Sequence, residues 1–342
     1  MGQVMAETSK KLTPEEVRDI VFTPNDAVVA AIRTIEDRRT HVGVGVKMGL
    51  DVVDEYMLPG RPGELITILG MTSNYKSGLM QFWARYVAND IVESKIENEC
   101  VVYVTWEQAI EEMLTFDLSA TARLSVTDVL RGQISNDEME RLRLMHGPRR
   151  AVMPVYLIGH SLAEGHKRPN LTLSAIGQAM MYIREEFGVK PRIIFLDYLQ
   201  LMQSEGGEDR RMQIFRNVQR SKDMALAMAC PVVLAVQANR ETYKEAWGVP
   251  GITSGLESSA IEHSSDKALG VWMPKTTHEV GKELVVKEAV LKITENLLIL
   301  KLLKQKMGPA GKWWSLYVDP AHNLIAELET HKVDLSRDGY SD

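Results

Sequence analysis

The stretch GELITILGMTSNYKS, residues 63–77, sets the reading of the whole chain. A short apolar run from Leu65 to Leu69 is followed by Gly70, five further residues, and then Lys76 and Ser77. The phosphate-loop pattern G-x-x-x-x-G-K-[ST] is met at Gly70, Lys76 and Ser77, but Tyr75 stands where its second glycine belongs. In such a loop, backbone N–H groups ahead of a helix cradle an anion. The lysine reaches the β- and γ-phosphates and the hydroxyl binds Mg²⁺. The candidate nucleotide-binding residues are Gly70, Met71, Thr72, Ser73, Asn74, Tyr75, Lys76 and Ser77. The missing glycine matters only if position 75 needs a positive φ or close approach of backbone to phosphate. The plain alternative is a strand-to-helix connection with a chance lysine.

Outward from this loop the chain alternates. The helix-like stretch SGLMQFWARYVANDIVESK follows directly. CVVYVTW, PVYLIGH, RIIFLD and PVVLAVQA are apolar runs, separated by the helix-like EQAIEEMLTFDLSATARL, TLSAIGQAMMYIREEFGV and RRMQIFRNVQRSKDMALAMA. Buried strands alternating with helices predict an α/β fold, a mainly parallel sheet flanked by helices on both faces. A charged helical stretch is expected at 136–145. LLILKLLKQKMGPAGKWWSLYVD reads as a C-terminal β-hairpin turning at Gly308 to Gly311, with Trp313 and Trp314 facing opposite sides of one strand. At the other end, LTPEEVRDIV carries a helix start at Thr13, Pro14 and Glu16. TPNDAVVAAIRTIEDRR then lines up Val28, Val29, Ile32 and Ile35, ahead of a glycine-rich link. The expected organisation is a short helical N-terminal arm and linker over 1–43, one α/β domain over 44–325, and a polar tail over 326–342.

With 45% hydrophobic and 25% charged residues the chain can bury a sizeable core. No apolar stretch approaches the roughly 18 residues a membrane span needs; the run from Leu297 to Leu303 is broken by Lys301. Nothing in the first residues resembles a secretion signal. Cys100 and Cys230 fit no zinc spacing and read as buried thiols in a reducing compartment, so a cytoplasmic protein without a membrane partner or transition metal is expected. A net charge of −6 argues against coating duplex DNA with the whole surface, but leaves room for a few basic loops. Arg210, Arg211, Arg216, Arg220 and Lys222 form a charge run that is ordinarily a solvated helix face. The sharper reading puts Arg210 and Arg211 on the loop before the helix, touching DNA phosphates.

Three more residues complete a candidate site. Asp197 ends the run IIFLD, the usual place for a carboxylate that holds Mg²⁺ together with the Ser77 hydroxyl. Glu107 follows VVYVTW and can activate water. Gln237 ends VVLAVQ and can sense the γ-phosphate. Each is unremarkable alone: strands often end in Asp, and Glu107 can simply serve a helix N-terminus. Together they lie at the carboxyl ends of parallel strands, where open α/β sheets bind ligands.

In this order, the segments resemble the C-terminal ATPase domain of the bacterial replicative helicases, the DnaB family, whose fold is RecA-like. GELITILGMTSNYKS falls on the family's first nucleotide motif, and VTWEQAIEEML on its strand with the catalytic glutamate. FLDYLQLM is similar to its Asp-Tyr-Leu-Gln-Leu-Met, and VVLAVQANRE to its Ser-Gln-Leu-Asn-Arg segment. GLESSAIEHSSD resembles its DNA-facing loop, and KQKMGPAG its Lys-Gln-Arg-Asn-Gly-Pro hairpin. The resemblance implies ATP with Mg²⁺ as cofactors, Glu107 as the water-activating residue and Gln237 as sensor. It implies that Lys304 and Lys306 enter a neighbouring subunit's site, hence a homo-oligomeric ring, a hexamer, or a filament. It further implies single-stranded DNA as partner, met by Arg210, Arg211, Arg240, Glu257 and Ser258, and leaves room for protein partners.

The departures are specific. Lys306 stands where the family has an arginine, keeping a charge but losing the planar fork. Leu256 replaces a DNA-loop arginine, Tyr75 replaces a glycine, and the arm is too short for the family's helical N-terminal domain that gathers primase. A helicase-like translocase on single-stranded DNA is the first reading. An ATP-switched ring or filament scaffold with slow hydrolysis is the second, and a nucleotide-binding relic the third. Replication, recombination, transposition and phage roles fit equally.

Overall fold

The computed structural model describes residues 13–40, 45–166, 170–202, 210–238, 248–252, 258–286 and 289–328. The chain divides into two compact units, 1–44 and 45–342. In the first, Pro14 and Pro24 each open a helix, Pro14–Ile20 and Pro24–Thr40, with φ already set for the first helical position. The Thr23 hydroxyl accepts from the Asp26 N–H at 3.2 Å, capping the second. Val28, Val29, Ile32 and Ile35 lie exposed along that helix.

The second unit is built on strands β1 (Leu65–Gly70), β2 (Glu99–Thr105), β3 (Val155–Ile158), β4 (Lys190–Asp197), β5 (Val232–Gln237), β6 (Lys267–Trp272), β7 (Glu283–Val286), β8 (Ala289–Lys292), β9 (Leu297–Gln305), β10 (Trp313–Asp319) and β11 (Leu324–Glu327). Nine of them form one sheet in the order β11-β10-β9-β6-β1-β5-β4-β2-β3, and β7 and β8 pair separately. From β6 to β3 every pairing is parallel. β9, β10 and β11 then extend the sheet antiparallel beyond β6. The fold is thus RecA-like, a mainly parallel sheet flanked by helices with an antiparallel C-terminal hairpin.

Both faces of the parallel strands are covered, which is why their sequences run apolar instead of alternating. The helix Lys76–Glu93 puts Leu79, Trp83 and Val87 against Ile66, Ile68, Phe195 and Val233 on one face. The helices Leu173–Phe187 and Arg210–Met228 put Ile176, Met180, Ile214 and Val218 against Leu65, Leu69 and Leu234 on the other. Trp83 is fully buried, edge-on to Phe195 at 5.9 Å, and its indole N–H donates to the Lys47 carbonyl at 2.7 Å. Each such large apolar side chain contributes about 1.5–3 kcal/mol on burial, so the helix behind the phosphate loop is firmly seated.

Several elements differ from expectation. The charged stretch at 136–145 is not one helix but Asn136–Arg141, a π-turn Leu142–His146, and Gly147–Ala151. Pro148 has no N–H to continue the ladder, and the turn ahead of it widens until the Gly147 N–H meets the Leu142 carbonyl. The Arg210–Met228 helix starts at Arg210, so Arg210 and Arg211 belong to its first turn and not to the loop before it. β6, beside β1, was not legible as a strand. Its first residue, Lys267, is buried and ion-paired with Glu64. β10 places Trp314 in the same core as Trp83, while Trp313 packs against the opposite cluster of Trp272, Leu284 and Leu291.

Candidate functional site

Strand register assembles the site. β1 and β5 align Gly70 with Gln237, and β2 and β4 align Thr105 with Asp197. Since the order is β1-β5-β4-β2, the phosphate loop, Gln237, Asp197 and the Glu107 turn emerge side by side at one edge.

The loop geometry is over-determined. A Cβ on Gly70 would fall 2.6 Å from Val271 Cγ2, so nothing larger fits. Asn74 is buried and its Oδ1 accepts from the Met273 N–H at 2.7 Å, pinning the loop to the end of β6. Position 75 does take a positive φ, +63°, and tyrosine adopts it, as Ser73 does at +64°. A left-handed residue with a Cβ costs about 1–2 kcal/mol. The helix beginning at Lys76 has no side-chain cap and no acidic residue in its first turn, leaving its opening N–H groups to an anion.

Lys76 Nζ donates to the carbonyls of Gly70 at 2.9 Å and Met71 at 2.8 Å. Burial brings its ammonium down to about 8, opposed by the Asp197 and Glu107 carboxylates nearby. Asp197 is fully buried at the end of β4. Burial raises its pKa, while the Ser77 and Tyr103 hydroxyls and Lys76 favour its charged form. The Tyr103 hydroxyl donates to Oδ2 at 2.8 Å; Oδ1 is buried without a hydrogen-bond partner. An orphaned carboxylate oxygen beside a serine hydroxyl is the donor set of a hard dication, so these residues fit Mg²⁺. Glu107 is exposed on a turn held by Thr105, whose hydroxyl donates to the Gln108 carbonyl at 3.0 Å and accepts from the Gln108 N–H at 3.1 Å. Gln237 Nε2 reaches the Thr72 hydroxyl at 2.9 Å.

Lys304 and Lys306 are not part of this cluster. β9 runs antiparallel to β6 and sets Gln305 opposite Lys267, at the amino-terminal edge of the parallel strands, away from the phosphate loop. Lys304 Nζ donates to the Glu262 carbonyl, and the exposed Lys306 ammonium lies 3.6 Å from Asp266 Oδ1. Either lysine can serve a phosphate site only from another copy. Arg240, Glu257 and Leu256 lie outside the described residues, as do the side chains of Arg210, Arg211 and Ser258. Tyr103, Gln200 and Asn323 were not singled out from sequence. Tyr103 had a signal, a lone hydroxyl inside an apolar run; Gln200 sat within the DYLQLM motif; Asn323 had none. Among the described residues no cluster of three metal-ligating side chains occurs, and no helix is long and apolar enough to cross a membrane.

Comparison with known proteins follows the same lines. The family described as DnaB-like helicase C terminal domain matches residues 45–322. The replicative DNA helicase DnaB of Pasteurella multocida (strain Pm70) is 23% identical over 321 residues, covering 91% of this chain and 62% of that protein. That of Rickettsia prowazekii (strain Madrid E) is 24% identical over 334 residues, covering 93% and 66%. The chain therefore spans just under two thirds of the length of these curated relatives. Among solved structures, an isolated ATPase domain matches with a TM-score of 0.72 at 17% identity, over 90% of this chain and all of that one. A DnaB-like replicative helicase, reported with its interactions with primase, matches with a TM-score of 0.73 at 16% identity, over 92% and 70%.

Proposed function

The chain belongs to the family of DnaB-like helicase C-terminal domains, and from that premise we propose that it is an ATP-dependent, oligomeric DNA-binding ATPase, a helicase-like translocase on single-stranded DNA. The observation that carries this reading is the convergence of Lys76, Ser77, Asp197, Glu107 and Gln237 on one edge of four adjacent strands.

Loop amides 71–77 and Lys76 hold the β- and γ-phosphates, Lys76 exchanging its two carbonyl partners for phosphate oxygens. Ser77 and Asp197 hold Mg²⁺, which supplies charge neutralisation on those oxygens. Glu107 takes the proton of the attacking water. Gln237 sits where a γ-phosphate is sensed and passes its state to Thr72. Lys306, with Lys304, enters the site of the next subunit and neutralises charge on the transferring group. ATP then lies at subunit interfaces of a ring, a hexamer, or a filament, with the arm of residues 1–43 seated on a neighbour. Arg210, Arg211, Arg240, Glu257 and Ser258 meet the DNA strand. The setting is cytoplasmic, with further protein partners in replication or a related DNA transaction.

Lys306 favours a second reading. A compact ammonium without arginine's fork suits slow hydrolysis, and hence an ATP-switched ring or filament scaffold or loader that unwinds nothing. Steady-state ATP hydrolysis with and without single-stranded DNA, with Lys76→Ala as control, separates the two. Strong stimulation abolished by K76A supports the motor; ATP-dependent assembly with little turnover supports the scaffold. No ATP binding by the wild-type chain removes both.

A further inference from the structure

Tyr75 is the one residue of the phosphate loop that breaks the motif, and its side chain is fully engaged. The ring lies over Gly78, where an added Cβ would fall 2.5 Å from it. Its hydroxyl donates to Asn323 Oδ1 at 3.0 Å. Asn323 closes the turn between β10 and β11, is buried, and holds a positive φ of 46°. Its Nδ2 donates to Gln81 Oε1 at 2.8 Å, and its carbonyl accepts from Arg85 at 2.8 Å. Gln81, on the helix behind the loop and itself buried, reaches with Nε2 to Gln108 Oε1 at 3.4 Å. Gln108 is the neighbour of Glu107. A hydrogen-bonded path of three carboxamides therefore runs from the phosphate loop to the turn that carries the candidate water-activating carboxylate.

A glycine at position 75 would take the left-handed conformation without strain and would have no side chain to place. Tyrosine bears the backbone cost, and the buried contacts its side chain makes to Gly78 and Asn323 offset it. Asn323 is the acceptor there; it supplies an oxygen to Tyr75 and an amide to Gln81 at once, so neither end of its carboxamide is left unpaired.

We propose that Tyr75 is a positioning residue: through Asn323 and Gln81 it ties the phosphate loop to the Glu107 turn, so that the nucleotide held by the first is aligned with the carboxylate on the second. This rests on the reading of the site as an ATPase. It assigns the motif-breaking tyrosine to catalytic alignment; ATP affinity is left to the loop amides and Lys76.

The test uses the full chain with Tyr75→Phe, Asn323→Gly, the double variant, and Tyr317→Phe as an unrelated loss of a tyrosine hydroxyl. Asn323→Gly is chosen because glycine keeps the positive φ at 323 without strain. Amide hydrogen exchange of residues 70–77 and 106–108 is measured without nucleotide, alongside ATP affinity and kcat. A neutral hydrogen bond is worth roughly a three- to tenfold change in an opening equilibrium. Y75F and N323G should each speed exchange of both segments by about that factor, with no further gain in the double variant because they break the same path. They should lower kcat several-fold with ATP affinity changed less than about twofold, while Y317F behaves as wild type. Wild-type exchange or wild-type kcat in Y75F overturns the proposal, as do additive effects in the double variant. If the wild-type chain neither binds nor hydrolyses ATP, the functional reading falls instead. Exchange then decides alone whether Tyr75 anchors the loop to the Glu107 turn: faster exchange in Y75F upholds the tie and unchanged exchange overturns it.

Discussion

Gln237, the last residue of β5, donates its side-chain amide to the Thr72 hydroxyl across 2.9 Å, while Gln200 brackets its backbone, accepting from the N–H at 3.1 Å and donating to the carbonyl at 3.3 Å. The end of β5 is thus joined to the phosphate loop on one side and to the segment after Asp197 on the other. A side chain so placed can register a γ-phosphate without being the group that holds the nucleotide. Gln237→Ala is expected to leave ATP affinity within about twofold and to lower DNA-stimulated turnover by more than about tenfold, the signature of an interaction made in the transition state. Titration with a non-hydrolysable ATP analogue and a steady-state assay read the two quantities. Loss of affinity equal to loss of turnover would assign Gln237 to binding.

Lys76 gives a pH dependence. Burial brings its ammonium down to about 8 in the free chain, so it is charged below that value and neutral above it. If phosphate binding needs the charged form, ATP affinity should be flat below pH 7 and about tenfold weaker at pH 9, one pH unit above the midpoint. An ordinary lysine would hold affinity steady to beyond pH 10. Calorimetric titration at pH 7, 8 and 9 checks this, and constant affinity across the range would mean that Lys76 does not carry the phosphate interaction.

The strands that bear the site were legible because they are buried on both faces and read as unbroken apolar runs: Leu65 to Leu69, Cys100 to Val104, Ile193 to Leu196 and Val232 to Val236 all lie at the core. β6 was not, because it opens with Lys267, a charge buried by its pairing with Glu64, and carries Gly270 in its middle. Patterning assumes that lysine means surface, and a buried ion pair defeats that assumption. Lys76, Ser77, Asp197, Glu107 and Gln237 were legible by position at strand ends. Their supporting residues Tyr103, Gln200 and Asn323 were not, since hydrogen bonds between residues such as Tyr75 and Asn323, 248 apart in the chain, leave no trace in local sequence. The π-turn at Leu142–His146 was announced only by Pro148.

Asp197 trades stability for its chemistry. Burial raises its pKa in the folded chain above the unfolded value, so the folded chain holds this proton more tightly. Its contribution to stability is most favourable in acid, below the ordinary carboxylate range, and declines as pH rises through the folded value. At neutral pH the site carries a buried carboxylate with an orphaned Oδ1. Asp197→Asn removes that charge and should raise the melting temperature at pH 7 by about 2–4 °C, with the gain shrinking towards pH 4. The same variant should lose Mg²⁺-dependent hydrolysis. A lower melting temperature at neutral pH would show that Asp197 is held by more favourable contacts than Tyr103, Ser77 and Lys76 provide.

Lys306 tests the assembly itself. It sits at the sheet edge opposite Lys76 and faces Asp266, so its proposed role requires a second subunit. Lys306→Ala and Lys76→Ala should each abolish hydrolysis alone, the first with nucleotide binding intact. When the two variants are mixed and allowed to exchange subunits, an interface regains both groups only if the K306A copy offers its phosphate loop to the K76A copy's lysine. Random assembly places that pairing at about one interface in four of a head-to-tail ring or filament. Recovery of roughly a quarter of the wild-type rate would establish action in trans. Lys306→Arg, restoring the planar fork, should raise wild-type turnover by about tenfold or more if the lysine is what slows it. No recovery on mixing, together with no gain from K306R, would place the charge elsewhere and leave Lys306 as a surface partner of Asp266.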